Sequence, residues 1–564
     1  GEMQNEGVFL EKKMVAEWTE EDVLSNNASI ILEECKRPMD ENAEFLWQSC
    51  QAETQKGFAG PICTEHACNA IFGGRANWAA VPCFSHTQQC GKMRRIDNAR
   101  RPGHNKASSS SEANSLPSAF QPATNAKTVA WAYATLGMCM HELGVELESG
   151  IEDLPDAYRG VPVVPRHQKF TVVMVREPET GIAHFLPCWA MLFGYMRSVM
   201  QFGRFSHFLE AVMRRIAQLL WSLYVDDSQV TDAASAKGSG QVTGMTFFKE
   251  LGISLADHKR RFMSEAKLYL GVQHSYPKLM TERVVEFEPK QALREKVATL
   301  AKQHLEEGTM TPGQASKLRG VAGFTAMSQF GRVGRAPLHA IKDRQYWHEE
   351  PWHLSREIVC SLELLVLLST DLPVRQVHIN DERGTIFVAT DAQADPGSWP
   401  SGGFILVDCN GDKHAGFFEF KKEFMDVWCP TRDEGGNPIA NCEAAMLPCL
   451  LLRKPRLFAK RRCLWLIDNS TSLYGMVKGG SSNKHLNRSI VLFHCLCYFL
   501  QCDIWLELVD SKSNFSDGVS RQGAQCPWAR KHSFNPVNFM PTILPWLWDL
   551  TTMWKKIQSG VGGF

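Results

Sequence analysis

The segment LLWSLYVDDSQVT, residues 219–231, sets the strongest limit on how this chain can fold. Apolar and β-favouring residues run up to Asp226 and Asp227 and resume after them, which predicts two antiparallel strands joined at a tight turn. These residues are the sole Asp-Asp pair in the sequence. A hairpin crowds their charges, which is costly unless a cation lies between them. Ordinary polar hairpin tips also use Asp, so the motif by itself leaves both readings open.

A second segment, IEDLPDAYRGVPV (151–163), places Asp153, Asp156 and Tyr158 ahead of a run of valines, and Asp226 follows Asp153 by 73 residues. Nucleotidyl transfer on two metal ions needs a further carboxylate beside the pair, and Asp153 on a neighbouring strand would supply it. KMRRIDNAR (92–100) offers Lys92, Arg94 and Arg95, cations suited to phosphate oxygens. LFGYMRSV (192–199) presents Phe193 and Gly194, and FFKELGISLADHK ends on Lys259. With YLGVQHS (269–275), these segments resemble, in order, the motifs of reverse transcriptases. The resemblance implies that Asp153, Asp226 and Asp227 are catalytic metal ligands. It puts Lys92, Arg94, Arg95, Asp156, Phe193, Gly194 and Lys259 at the incoming nucleotide. Tyr158 becomes the steric gate that excludes a ribose 2′-hydroxyl. Met93 and Asn98 stand where that family more often has an aromatic residue and an Asp.

Further acids follow downstream. Asp391 closes a β-rich run in GTIFVATDAQADPGSWPSGGFILVD (384–408), and Asp468 closes another in CLWLIDNSTS. Glu443 lies near the start of a helix in NCEAAMLPCLL, with Pro448 as an expected kink. Asp517 opens a helix in SNFSDGVSR. Four carboxylates at strand ends and helix starts can converge on two metal ions and direct water at a phosphodiester. This set resembles the Asp-Glu-Asp-Asp ligands of ribonuclease H. GRVGRAPLHAI, DNSTSLYGMVKGGSS and SNFSDGVSR are similar to phrases of the DIRS group of tyrosine-recombinase retrotransposons, and to retroelement-derived proteins of dinoflagellates.

The resemblance implies an α+β chain, a right-hand polymerase of fingers, palm and helical thumb followed by a ribonuclease H-like α/β domain. The expected boundaries are 1–57 for an N-terminal helical extension, 58–280 for fingers and palm, 281–375 for thumb and connection, 384–522 for ribonuclease H and 523–564 for a tail. The implied activity is RNA-directed DNA synthesis with hydrolysis of the RNA strand, using two Mg²⁺ ions per active site, or Mn²⁺. Its partners would be an RNA template, a DNA primer, the RNA–DNA hybrid and dNTPs. The alternative is a domesticated or decayed element that binds nucleic acid without catalysis, against which all seven candidate metal ligands are present. A viral RNA replicase is disfavoured by Tyr158 and by the second acidic set.

Composition adds bounds. The 564 residues, 44% hydrophobic, suffice for several domains. Lys+Arg and Asp+Glu are both 61, so a basic surface for nucleic acid must be local. The 18 cysteines form no CxxC pair and no apolar leader opens the chain. Both point to reduced thiols and an intracellular setting, cytoplasm or nucleus. Cys63, His66, Cys68, Cys83, His86 and Cys90 lack the close cysteine pair of structural zinc sites, so zinc is not expected. The apolar run 490–500 is too short to span a bilayer and reads as a buried helix, with no membrane partner. KASSSSEANSLPS (106–118) reads as a loop, and the segment with Trp546, Trp548 and Trp554 as a packed terminal helix. A start at Gly1 suggests a piece of a longer polyprotein.

Overall fold

The computed structural model describes residues 10–88, 91–113, 117–327, 332–347, 349–371, 374–379, 381–395, 398–429 and 438–559. The chain divides into two compact units, 1–270 and 271–564, both mixing helices and sheets. It is therefore α+β.

In the first unit, the Asp-Asp segment forms the expected hairpin. Strands Leu220–Tyr224 and Asp227–Ala233 pair antiparallel with Tyr224 opposite Asp227, leaving Val225 and Asp226 as a two-residue turn. Val225 has φ 56°, a conformation that β-branched residues rarely adopt. Strand Leu147–Asp153 lies on the other side of Asp227–Ala233, and Arg261–Ser264 completes the sheet. Helix Met196–Arg215 covers the sheet through Phe202, Leu209 and Met213, which pack with Trp221, Leu223 and Val230. A second sheet runs in the order Met93–Asp97, Ala80–Thr87, Val172–Arg176, Ala183–Pro187. Helix Ala43–Gln55 sets Leu46 and Cys50 into its core. Thr19 caps helix Glu20–Lys36 in a reciprocal box with Asp22. The serine-rich segment differs from the expected loop: Ser110–Ala113 pairs antiparallel with Leu10–Met14, because backbone pairing needs no apolar side chains.

The second unit begins with strands and a helical group. Helices Gln291–Glu307, Pro312–Met327, Leu338–Gln345 and Arg356–Thr370 share a core that includes Val297, Leu318, Ile341 and Leu362. Thr311 starts the second of these: its hydroxyl accepts from Gln314 N, and its amide donates to Gln314 Oε1 at 2.8 Å. A six-stranded sheet follows, in the order Asp503–Leu508, Arg462–Ile467, Thr385–Gln393, Ser401–Val407, Lys413–Glu419, Val537–Asn538. The three strands from Thr385 to Glu419 form an antiparallel meander, and the strands added at either side are parallel. Helix Ile439–Arg453 runs through Pro448 as one element. Helix Lys484–Leu500 carries the apolar run into the core, with Ile490, Leu492 and Leu496 buried. The terminal segment is not a separate layer: Leu547, Met553 and Trp554 fill the same core as Leu364 and Leu368. Among the described residues, no helix is long and apolar enough to cross a membrane.

Two adjacent glycines set how closely helices approach this sheet. Gly402 and Gly403 face opposite sides of their strand, as successive strand residues must. A Cβ on Gly402 would lie 2.3 Å from Met446 Sδ, and one on Gly403 would lie 2.4 Å from the backbone N of Ser520. A thioether can move aside, whereas a backbone amide in a packed helix cannot. Gly403→Ala is therefore expected to cost about 1–3 kcal/mol of stability, and Gly402→Ala less. Denaturant titration of both variants checks the order, and equal losses would contradict it.

Candidate active sites

The first acidic group forms where three chain segments meet. Asp153 ends its strand directly opposite Asp227, and Leu154 N donates to Asp226 O at 3.0 Å. This ties the turn to the neighbouring strand end. Burial raises the Asp226 carboxyl above its usual range, and Asp153 adds repulsion while Lys259 and Arg94 offset it. Burial, then Asp226 and Asp153, push Asp227 up to about 6. Lys259 arrives from the turn after Ala256, whose N donates to Asp153 O at 2.9 Å. Its Nζ lies 2.7 Å from Asp153 Oδ1. An ammonium group thus stands against the acids where a second positive charge would also be favoured.

The other residues expected at the nucleotide divide into two groups. Arg94 is exposed, and its charge reaches Asp226. Lys92 is exposed at the preceding turn, where its carbonyl accepts from Gln88 N at 2.8 Å. Tyr158 is half-buried, its ring 5.8 Å from Phe193 and 5.5 Å from Phe202. Burial first, then the Asp226 charge, raise its hydroxyl above the usual range. Asp156 pairs with Lys56 at 2.7 Å. Arg95 requires correction. Neighbouring strand residues point to opposite faces, so with Arg94 outward Arg95 turns inward. It is buried against Glu53 at 2.8 Å and Asp97 at 3.0 Å and cannot grip a phosphate.

That inward turn exposes residues the sequence reading missed. Asp97, with no exposed surface, also receives Arg159 Nη2 at 2.7 Å and the Phe193 amide at 3.2 Å. Asp97 N donates in turn to Phe193 O at 2.9 Å. Gly194 has φ 144°, and a Cβ there would lie 1.8 Å from Asp97 O. Asp97 therefore joins the Arg94 strand, the Tyr158 turn and the Phe193–Gly194 loop. Its inward position in the alternation of KMRRIDNAR was the available signal.

The second acidic group is tighter. Asp391, Glu443 and Asp468 each offer an oxygen within 4.8 Å of the others, and among the described residues no other such group of acids, His or Cys occurs. Asp391 and Asp468 lie at the same end of adjacent parallel strands, Asp468 one residue past its strand. Helix Ile439–Arg453 brings Glu443 over them, where its Oε1 accepts from Ala392 N at 2.9 Å. Glu443 Oε2 is buried without a hydrogen-bond partner. Burial, then Asp391 and Asp468, hold the Glu443 carboxyl well above its usual range. Burial chiefly, with Asp468 and Asp517 adding, pushes Asp391 up to about 7 against a bond from Ser520 Oγ. Ser520 was not foreseen. Asp517 stands apart from the three, paired with Arg521 at 2.7 Å, although its charge still reaches Asp391. Like charges gathered around an unsatisfied oxygen fit a divalent cation, so the three could hold a metal ion. Of the cysteine and histidine set considered for zinc, Cys90 lies outside the described residues.

No protein-family model and no curated protein matches this chain. Among solved structures it is similar to a foamy viral protease-reverse transcriptase in complex with double-stranded DNA. The two are 13% identical with a TM-score of 0.41, over 84% of this chain and 70% of that one.

The second group makes a pH-dependent prediction. Asp391 shifts from 3.8 to about 7 on folding. Between those values the folded state holds a proton that the unfolded state has lost, so stability falls as pH rises. In EDTA, wild-type thermal stability should fall more steeply over this window than that of Asp391→Asn. Parallel slopes would remove the raised carboxyl as the cause.

Proposed function

We propose that this chain is an RNA-directed DNA polymerase with ribonuclease H activity, encoded by a retroelement of the DIRS type. The observation that carries the reading is the first acidic group. Asp153 faces Asp227 across two strands, Asp226 occupies the adjoining turn, and Arg94 and Tyr158 lie within electrostatic reach. In this reading residues 58–280 supply fingers and palm, 281–375 the thumb and connection, and 384–522 the ribonuclease H domain.

Asp153, Asp226 and Asp227 would hold Mg²⁺ or Mn²⁺, and Asp391, Glu443, Asp468 and Asp517 a second pair of ions. The ions would supply Lewis-acid stabilisation of charge on the reacting phosphate. The chain's own groups bind and orient. Arg94 and Lys92 hold the triphosphate of a dNTP, and Lys259 exchanges its Asp153 partner for phosphate oxygens. The Tyr158 ring, backed by Phe202, fills the space a 2′-hydroxyl would need. In the second unit, Ser520 orients Asp391, and the strand of RNA in a hybrid is the expected substrate.

Primer extension on poly(rA)/oligo(dT) with Mg²⁺ tests the first activity, and cleavage of a labelled RNA–DNA hybrid tests the second. Asp226→Asn should abolish extension and leave cleavage within about twofold, and Asp468→Asn should do the reverse. Loss of both activities in either folded variant would mean the sites are wrongly divided. Tyr158→Val should raise ribonucleotide incorporation at least about tenfold, a pocket effect of roughly 1–3 kcal/mol. Unchanged discrimination would reduce Tyr158 to core packing.

A further inference from the structure

A cavity of about 520 Å³ lies within the second unit, bounded by helix Leu338–Gln345, the start of helix Arg356–Thr370, the loop before helix Lys484–Leu500, and Trp548. Its volume falls in the range of small-ligand sites. None of its lining residues belongs to the Asp391, Glu443 and Asp468 group.

Two arginines line this cavity, and each carries a buried donor that no protein atom accepts. Arg344 is only 8% exposed. Its Nη2 donates to His353 O at 2.5 Å, yet its Nη1 is buried without a partner. Arg488 sits over the Trp548 ring, 3.2 Å from its centroid, and its Nη1 is likewise buried and unpartnered. Burial lowers both guanidinium groups, Arg488 to about 10, as for cations short of compensating charge. Of the two carboxylates in the lining, Asp343 is exposed and Glu357 is already opposed by Lys484 at 3.7 Å. A buried cationic donor without an acceptor is expensive, and two forks on one cavity call for a ligand with several oxygens.

The third wall adds the same sign of charge. Ser481, Ser482 and Lys484 line the cavity at the N-terminus of the 17-residue helix Lys484–Leu500. Asn483 already caps the His485 and Leu486 amides, so the helix contributes its dipole rather than those two N–H groups. The wall is fixed in place. Arg335 Nη1 donates to Lys478 O at 2.9 Å, and a Cβ on Gly480 would lie 1.8 Å from His339 Nε2. The described part of GRVGRAPLHAI, residues 332–341, and DNSTSLYGMVKGGSS thus close on one another here through Arg335 and His339, although neither contributes a polymerase residue.

We infer that this cavity binds the phosphate group of a nucleotide or of a nucleic-acid strand, held between Arg344 and Arg488. Guanidinium forks match phosphate oxygens in geometry, and Trp347, 51% exposed at the rim, offers a face to a base. The inference does not depend on the polymerase reading.

Isothermal titration of the full chain with dAMP and with a short single-stranded oligonucleotide tests it. The wild type is compared with Arg488→Gln and with Lys484→Gln, both at a half-buried or exposed helix start. Arg344→Gln serves as a third variant, read only if its circular dichroism matches the wild type. Arg488→Gln should weaken binding about tenfold or more, the loss expected of one charge-assisted hydrogen bond. Binding of dAMP lost in the variants assigns a free nucleotide. Oligonucleotide binding lost in the variants, without dAMP binding, assigns a strand phosphate. Failure of both probes at millimolar concentration, or equal binding by wild type and Arg488→Gln, overturns the site.

Discussion

Asp97 is the constraint on which the first unit's site depends. It is fully buried, and it is tolerated only because Arg95, Arg159 and the Phe193 amide all donate to it. Glu53 completes the balance by ion-pairing with both arginines, each at 2.8 Å. Breaking one partner of such a network leaves a charge stranded in the interior, commonly at a cost of about 3–5 kcal/mol. The geometry matters more than the sum. Three segments that sequence places far apart, around residues 95, 159 and 193, are pinned to one carboxylate. Arg94 and Tyr158 take their positions as consequences, because each is adjacent in sequence to a pinned residue, and Phe193 is itself pinned.

This explains what could be read from sequence and what could not. The hairpin at Asp226 was legible because β-favouring residues flank the acids, but its register was not: Val225 and Asp226 make the turn, and Asp227 already pairs with Tyr224 in the second strand. The position of Asp468 just past its strand was legible for a similar reason, whereas Asp391 lies inside its strand, paired with Gly403 and buried, because the strand runs on to Gln393. The assignment of Arg95 failed because composition identifies a basic run but not which members face inward. Strand alternation allows Arg94 or Arg95 to point outward, not both, and the choice is made by Glu53, some forty residues earlier in the chain. Ser520 was invisible for another reason: its role depends on Gly403 admitting its helix to the sheet, a contact between residues over a hundred positions apart. The short strand Ser110–Ala113 was misread because edge pairing uses backbone groups that side-chain patterns do not report.

The two acidic groups answer the same electrostatic problem differently. Around Asp153 the chain supplies its own cation, Lys259, at 2.7 Å, and Arg94 adds a more distant positive charge. Repulsion is thereby softened, and Asp227 is pushed only to about 6. Around Asp391 the arginine whose charge reaches it, Arg521, is paired with Asp517, and Glu443 keeps one buried oxygen with no donor. Here burial and mutual repulsion push Asp391 up to about 7 and hold Glu443 well above its usual range, which favours protons in place of a counter-ion. A divalent ion at the second group would have to displace only protons, whereas one at the first would have to compete with a tethered ammonium. In the proposed polymerase, Lys259 would accordingly exchange its carboxylate for an arriving phosphate. At the second group, the affinity for an ion would rise as pH increases and the acids ionise.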